Sequence, residues 1–240
     1  MLSLLALNGV LALLGWRLRT VTGPGALAGF AVGAAVVWSL GWPGYLVLLL
    51  YFALGALVTR MGWTRKRALG IAEARGGARG PMQVAANGGP PVLFCMLAGL
   101  SSVSWGAPAA AAFVGSLATA AADTVSSEVG KSLGGPVRRL PGLSRAPAGT
   151  PGGISFAGSA AGLTASLVIC VVAAGGGLIP STWFLPVAAA GFLAALFEGL
   201  LSPLETRGTL DNDGVNAVSV LAGGLLAFGW GWVSTGGGAG

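Results

Sequence analysis

Two short acidic motifs interrupt an otherwise apolar chain of 240 residues and are the first candidates for chemistry. Asp123 and Glu128 lie in the stretch 122–131, Ala-Asp-Thr-Val-Ser-Ser-Glu-Val-Gly-Lys, and Asp211 and Asp213 lie in a second motif, Asp-Asn-Asp-Gly-Val-Asn. Each motif touches the end of an apolar run. Placing an ionised Asp at the centre of a membrane helix costs about 2.5–3.5 kcal/mol, so acidic groups at such a helix end indicate a functional site.

The first motif carries the oxygen ligands that magnesium and phosphate chemistry requires. Mg²⁺ prefers one or two carboxylates, together with amide, hydroxyl, water and substrate phosphate oxygens. Asp123 and Ser127, and likewise Thr124 and Glu128, are four residues apart and share a helix face. Asp123 and Glu128 are five apart, so we expect them to converge only if the helix ends near Ser126 and the chain turns.

The second motif supplies Asn212, Asp213 and Asn216 at the start of the last apolar run. Positions three and four apart are neighbours on a helix, so Asn216 can meet both of the others. A simpler interpretation is helix capping, in which side-chain oxygens accept from free backbone N–H groups. Asn216 favours a functional role, because an amide one turn inside an apolar run has no capping role and needs a polar partner.

A cationic, glycine-rich segment connects the first motif to the sixth apolar run. Glycines that open a helix let backbone N–H groups approach phosphate oxygens, and the helix dipole favours the negative charge. Taken alone, such a segment is more often an ordinary loop, but here it is flanked by carboxylates. A second basic segment, 60–81, precedes Asn87, an amide among apolar neighbours. The candidate phosphate contacts in the two segments are Arg79, Lys131, Arg138, Arg139, Arg145, Gly149, Thr150, Gly152, Gly153 and Ser155.

The composition predicts an integral membrane protein. Hydrophobic residues make up 54% of the chain and charged residues only 8%, against about 25% charged in an ordinary soluble domain. The mean hydropathy is +0.81. We therefore predict an all-α, polytopic transmembrane helix bundle that forms a single domain over residues 1–240. The apolar runs predict eight spans, with six or seven as the alternative, near 2–16, 25–41, 44–59, 84–100, 106–123, 154–175, 182–201 and 214–233.

The cations predict the orientation, because Lys and Arg are retained on the cytoplasmic side of membrane proteins. Eight alternating spans place all 13 positive charges on one face, after the first span and in cytoplasmic loops near 60–83, 124–153 and 202–213. The opposite connections carry no charged side chain, so both termini are expected outside. The net charge of +6 then follows from topology, and no nucleic-acid partner is expected.

The residues that the chain lacks narrow the chemistry further. There is no histidine, which excludes imidazole bases, His-ligated zinc and Ser-His-Asp hydrolysis. Cys95 and Cys170 lie in separate apolar runs and are interpreted as small buried hydrophobic residues. Any reaction must therefore use carboxylates, amides, hydroxyls and the cations of Arg or Lys.

Together, the motifs resemble those of the phytyl-phosphate kinase family, integral membrane enzymes of tocopherol synthesis in plants and cyanobacteria with widespread prokaryotic relatives. The resemblance spans residues 1–233, and Asp-Thr-Val-Ser-Ser-Glu is its most specific block. A more distant likeness extends to dolichol and phytol kinases and membrane cytidylyltransferases, which use CTP. The sequence departs at Ala148, where the plant branch tends to be basic, and Arg145 is a candidate substitute. The motifs are Gly76-Gly77-Ala78-Arg79, Asn87-Gly88, Ala122 to Lys131, Gly149-Thr150, Gly153-Ile154-Ser155, Asn212-Asp213 and Val215-Asn216.

The resemblance implies transfer of a phosphoryl group from CTP or another nucleoside triphosphate to an isoprenyl monophosphate, such as phytyl or geranylgeranyl phosphate. Asp123, Glu128 and Asp213 would be catalytic and bind Mg²⁺, and Asn212 and Asn216 would complete the site. A phosphate monoester has a second pKa of about 6, so the attacking oxygen is already ionised at neutral pH and no histidine base is required. The remaining substrate contacts would come from Asn87, Arg79, Thr124, Ser127, Lys131 and the other basic and glycine-rich positions named above.

Three alternatives stay open on the residues: a CTP-dependent lipid cytidylyltransferase, a prenyl-alcohol kinase and a membrane transporter. A transporter would need a polar route to both faces, whereas the acidic motifs all open one way. Glu198, Glu205 and Asp211 receive no role. We expect a multi-pass protein of the cell membrane whose site faces the cytoplasm, with the prenyl chain in a groove between spans; a homodimer is left open.

Overall fold

The computed structural model describes residues 1–100 and 103–236, and the predicted all-α polytopic bundle is confirmed. Small additions are the 3₁₀ turns Ala74–Gly77 and Ser181–Trp183 and a sheet of three short strands in the order β2-β1-β3. The strands are β1 (Val137–Arg139), β2 (Ser144–Ala146) and β3 (Gly153–Ile154). The helices are α1 (Leu2–Arg17), α2 (Gly23–Arg60), α3 (Trp63–Ala68), α4 (Pro81–Leu100), α5 (Val103–Leu133), α6 (Phe156–Gly175), α7 (Phe184–Thr206) and α8 (Asn212–Ser234).

Helix α2 is a hairpin of two spans that meet at Gly41. A straight helix of 38 residues would be about 57 Å long. Yet Arg60 at its end donates from Nη2 to the carbonyl of Leu18, just before its start, over 2.6 Å. The chain reverses at Gly41, which has a φ of +61° that side chains other than glycine rarely adopt. We call the two halves α2a and α2b, and they correspond to the predicted spans 25–41 and 44–59.

Five of the described helices are long and apolar enough to cross a membrane, namely α2, α5, α6, α7 and α8. Counting α2 as two spans, and adding the shorter α1 and the more polar α4, gives the eight spans that the sequence predicts. Large apolar side chains such as Leu27, Trp38 and Leu225 are exposed on the outside of the bundle. That surface is suited to contact with lipid.

Helix α5 is the centre of the bundle, since 83% of its apolar window is buried and it packs against α2, α4, α6, α7 and α8. Small residues bring the backbones together: a Cβ at Gly191 of α7 would lie 2.7 Å from Ala118. The helix also runs ten residues beyond the predicted end at 123. Val125 and Val129 keep an apolar, buried face there, so the chain does not make the turn near Ser126 that Asp123 and Glu128 would need in order to converge.

Candidate active site

Ten of the predicted site residues line one polar cavity of about 300 Å³, which we call the head cavity. Its walls come from α2b, the segment before α4, the start of α4, the ends of α5 and α7, and the start of α8. These termini therefore gather at one end of the bundle. The predicted residues that line it are Arg79, Asn87, Asp123, Thr124, Ser127, Glu128, Lys131, Asn212, Asp213 and Asn216.

A second polar cavity of about 180 Å³ adjoins the head cavity, and we call it the loop cavity. Its outer wall is the glycine-rich segment that precedes α6, including the predicted Gly149, Thr150, Gly152, Gly153 and Ser155. The two cavities share one wall. The residues common to both are Asp123, Ser127, Lys131, Glu198 and Asn212.

Two carboxyl groups face each other on the shared wall. Asp123 of α5 and Glu198 of α7 lie within side-chain hydrogen-bond range of one another, and the charge of Lys131 acts on both. Two carboxylates at that distance repel unless a proton or a cation lies between them. The donor set of two carboxylates, with the Asn212 amide and the Ser127 hydroxyl on the same wall, fits Mg²⁺ bound together with substrate phosphates.

The predicted metal trio of Asp123, Glu128 and Asp213 does not form one cluster. Within residues 1–100 and 103–236, no three Asp, Glu, His or Cys side chains are placed to hold one ion. Because α5 continues as a helix, Asp123 and Glu128 point in different directions. Asp213 lies on the α8 side of the head cavity, where its charged neighbours are Asp211, Arg75 and Glu73.

Glu128 is instead the centre of a buried ion network. Its Oε2 lies 2.5 Å from Nζ of Lys66, and its Oε1 lies 3.1 Å from Nζ of Lys131. The Lys66 side chain is completely buried and also donates to the carbonyls of Val58 and Thr59 at the end of α2b. Both oxygens of Glu128 are therefore engaged by lysines. The network also orients Lys131, whose Nζ reaches Glu73 over 3.3 Å.

Arg79 reaches the head cavity from the segment before α4. Its backbone is fixed by two hydrogen bonds of 3.0 Å, from its N–H to Thr20 and to its carbonyl from Thr22. Its guanidinium carbon lies 5.5 Å from the ring centre of Tyr51 and 5.7 Å from that of Phe52. In the part of the chain that the structure describes, no carboxylate forms an ion pair with Arg79, so its charge is available to an anion.

The start of α8 combines capping with cavity lining. Asp211 is the cap residue and accepts from the Gly214 N–H over 2.8 Å, so the capping interpretation is correct for this residue. Asn216, one turn further on, is buried and donates from Nδ2 to Oδ1 of Asn212 over 3.3 Å. Asn87 is also buried and donates to the carbonyl of Gln83. The two amides thus face the head cavity from α8 and α4.

The glycine-rich segment folds closely against α7. At Gly152, with a φ of +72°, an added Cβ would collide with the Oγ of Ser202. Ser202 is buried and its hydroxyl has no hydrogen-bond partner among the described residues. Ser155 caps α6 by accepting from the Gly158 N–H over 3.1 Å, and Thr150 donates to the carbonyl of Pro147. The segment is therefore an ordered cradle beside the loop cavity.

Three predicted phosphate contacts lie away from both cavities. Arg138, Arg139 and Arg145 belong to the small sheet, in which Arg138 pairs with Arg145 and Arg139 pairs with Gly153. None of the three lines the head or the loop cavity. Strand pairing accounts for this, because it holds the arginines on the sheet while the glycines that follow reach the cavity.

Several site residues were missed by sequence reasoning. Glu198 carried a usable signal, because an acid inside the predicted span 182–201 is costly unless it has a function. Lys66 had no such signal, since its charge was accounted for by the positive-inside rule. The other missed residues of the head cavity that carry polar side chains are Tyr51, Thr59, Glu73, Arg75, Gln83 and Asp211.

The fold and the site define a polytopic membrane protein with a polar, charged cavity at one end of its helix bundle. The chain belongs to the family described as integral membrane protein DUF92, whose model matches residues 6–224. The recognition made from the sequence motifs is thereby confirmed, because the relatives of this chain include the chloroplast protein VTE6 of Arabidopsis thaliana.

Three relatives show the breadth of the similarity. An uncharacterized membrane protein of Synechocystis is 36% identical over 197 residues, which are 81% of this chain and 76% of the relative. VTE6 is 33% identical over 212 residues, and the match covers 85% of this chain but only 63% of VTE6. An uncharacterized membrane protein of Methanocaldococcus jannaschii is 30% identical over 224 residues, 90% and 88% of the two chains. No solved structure shows significant similarity.

Proposed function

We propose that this protein is a membrane-embedded prenyl-phosphate kinase, which transfers the terminal phosphoryl group of a nucleoside triphosphate, CTP in preference, to an isoprenyl monophosphate. The observation that carries the proposal is the meeting of two polar cavities at Asp123 and Glu198. Phosphoryl transfer brings two polyanions together in line, so it needs two adjoining anion sites with a charge-neutralising group between them.

Each cavity is suited to one substrate. The nucleotide phosphates would lie in the loop cavity, where the glycine-rich segment 149–153 lets backbone groups approach. The lipid phosphate would lie in the head cavity, between the cations of Arg79 and Lys131. Asn87 and Asn216 would orient it through their amides. Thr124 and Asp213 line the same cavity and stay candidate contacts.

The shared wall would bind magnesium through Asp123 and Glu198, with Asn212 and Ser127 as further oxygen ligands. Magnesium there would neutralise the phosphate charges that meet between the cavities. Two ion pairs would position the cation of Lys131 at the shared wall: Glu128 pairs with Lys131, and Lys66 pairs with Glu128. No protein base is needed, because the attacking oxygen of a phosphate monoester is ionised above a pH of about 6.

The family supports this proposal over its alternatives. The similarity to VTE6 supports the resemblance to phytyl-phosphate kinases, and the match covers 63% of the length of VTE6. The positive-inside rule predicts that the site faces the cytoplasm, since the cations lie at the end of the bundle that carries the cavities. A site in the cell membrane facing the cytoplasm would have access to soluble nucleotide. A homodimer and nucleic-acid binding play no part in the mechanism.

Product analysis tests the proposal directly. Purified protein is offered phytyl, geranylgeranyl and farnesyl monophosphates with each nucleoside triphosphate and Mg²⁺, and the lipid products are identified by mass. We expect the prenyl diphosphate, with the highest rate for CTP. The matched control is Asp123→Asn, which keeps the shape of the side chain and should lose the activity. A cytidylylated lipid as the product, or no lipid product with any nucleotide, would contradict the kinase proposal.

A further inference from the structure

An apolar groove leads away from the head cavity between α1, α2a, α2b and α4. Leu11, Val32, Leu48 and Leu49 are among its lining residues, and all four are partly exposed. The groove adjoins the head cavity, because Tyr51, Arg79, Gln83 and Asn87 line both. An occupant that fills both spaces must therefore have a polar head and a hydrocarbon tail.

Arg79 marks the boundary between the polar and apolar parts. Its guanidinium lies over the rings of Tyr51 and Phe52, and Phe52 belongs to the groove but not to the head cavity. Gly55 leaves room for this arrangement, since a Cβ there would collide with the guanidinium. A cation that has no carboxylate partner among the described residues and stands at the mouth of an apolar groove suits an anionic group joined to a hydrocarbon chain.

Gly29 keeps the groove open. A Cβ at this position would meet no atom within 4 Å, although the residue lines the groove. The neighbouring glycines of α2a differ, because Gly25 packs against the carbonyl of Arg79 and Gly33 packs against the side chain of Asn8. A larger side chain at position 29 would therefore enter the groove without disturbing helix packing.

A buried polar pair lines the groove at the end remote from the head cavity. The Tyr45 hydroxyl donates to Oδ1 of Asn8 over 3.1 Å, and Nδ2 of Asn8 donates to the carbonyl of Phe30 over 2.9 Å. Tyr45 lies six residues before Tyr51 on α2b, which corresponds to about 9 Å of helix rise. The groove is thus short. Any longer chain must leave it sideways, past the partly exposed lining, into the lipid.

We infer that this groove holds the phosphate-proximal part of the substrate's prenyl chain, with Gly29 setting its width and the Asn8–Tyr45 pair its depth. The inference rests on the proposed function and deepens it. It assigns substrate selection to the first isoprene units beyond the phosphate. Chain length beyond the groove is then not selected, so farnesyl, geranylgeranyl and phytyl phosphates are accepted with similar KM.

Filling the groove tests the inference by kinetics. Gly29→Leu places a side chain in the space of the prenyl chain and should raise KM for geranylgeranyl phosphate by about tenfold or more, as expected when buried hydrocarbon contacts are lost. KM for the nucleotide should not change. The matched control is Gly229→Leu, on α8 outside the described cavities, where an added Cβ also meets no atom within 4 Å. It should leave both KM values within about twofold, the usual range for a surface substitution.

Photo-crosslinking gives a second measurement that does not depend on turnover. A farnesyl phosphate analogue with a diazirine on its first isoprene unit is irradiated with the protein in the absence of nucleotide, and the labelled peptides are sequenced. Labelling within α1, α2 and α4, abolished by Gly29→Leu but not by Gly229→Leu, is the expected result. Such labelling without any kinase activity would support the groove and contradict the proposed function.

The same two measurements can also overturn the groove while leaving the proposed kinase function intact. Kinase activity that Gly29→Leu leaves unchanged, with labelling of helices other than α1, α2 and α4, would overturn the groove while the proposed function stands. Absence of both labelling and activity would overturn both.

Discussion

The buried pair of Lys66 and Glu128 should be a stability element, and the consequence of breaking it can be estimated from its geometry. The two side chains are 0% and 3% exposed, and their charged atoms lie 2.5 Å apart. Glu128→Gln removes the negative charge and leaves Lys66 as a buried cation with only the two carbonyls at the end of α2b. Losing one partner of a buried pair costs about 3–5 kcal/mol, because the remaining charge is uncompensated.

A double-mutant cycle measures this effect. Lys66→Met, Glu128→Gln and the double variant are compared with the unchanged protein by reversible unfolding in detergent. Glu128→Gln should lose about 3–5 kcal/mol, and Lys66→Met should lose less, because Lys131 still pairs with Glu128 in that variant. The double variant should lose clearly less than the sum, since the buried Lys66–Glu128 charges are both absent. Glu73→Gln is the matched control: its 3.3 Å contact with Lys131 is partly exposed, so about 0–1 kcal/mol is expected.

The cycle also distinguishes a stabilising role of Glu128 from a role as a metal ligand. If Glu128 were a metal ligand, as the sequence predicts, Glu128→Gln would abolish turnover while leaving stability close to that of Glu73→Gln. That outcome, or a double variant that loses the full sum of the single losses, would refute the ion-network account.

Three further predictions concern the site and its orientation. Asp123→Asn and Glu198→Gln should each lower kcat by about 100-fold or more, the scale of a lost charge-stabilising contact, while the protein stays folded; near-normal kcat would remove that residue from the metal site. The rate with a monophosphate substrate should rise with pH through about 6, where its phosphate ionises, and then level off; a further rise near pH 7.5 would indicate a protein base. In a Cys-free background, Arg139→Cys should resist impermeant thiol reagents in intact cells and react after lysis; labelling from outside would reverse the topology.

The bundle was predictable because its elements depend on local composition. Runs of apolar residues, broken by glycines and cations, located the spans, and Gly41 marked the reversal within α2. The gathering of the two acidic motifs at one end also followed from alternating spans. These features need only hydropathy and charge, which the sequence shows directly.

The details of the site were less predictable because they depend on tertiary contacts. The end of α5 was placed too early, since polar residues after 123 hid the apolar pair Val125 and Val129. Lys66 was indistinguishable in sequence from its exposed neighbours Arg65 and Arg67, although only Lys66 is buried. The segment 60–81 contains six cations, and helix docking, not sequence spacing, decides which of them faces the buried carboxylate of Glu128.

Transfer of label from a nucleoside triphosphate to lipid tests the central claim most directly. CTP labelled in its γ-phosphate is incubated with the protein, Mg²⁺ and either geranylgeranyl monophosphate or geranylgeraniol in parallel. The account predicts labelled diphosphate from the monophosphate and little label in the alcohol, because an alcohol would need a base to remove its proton. Strong label transfer to the alcohol and none to the monophosphate would contradict it, and would make Asp123 or Glu198 the base of an alcohol kinase.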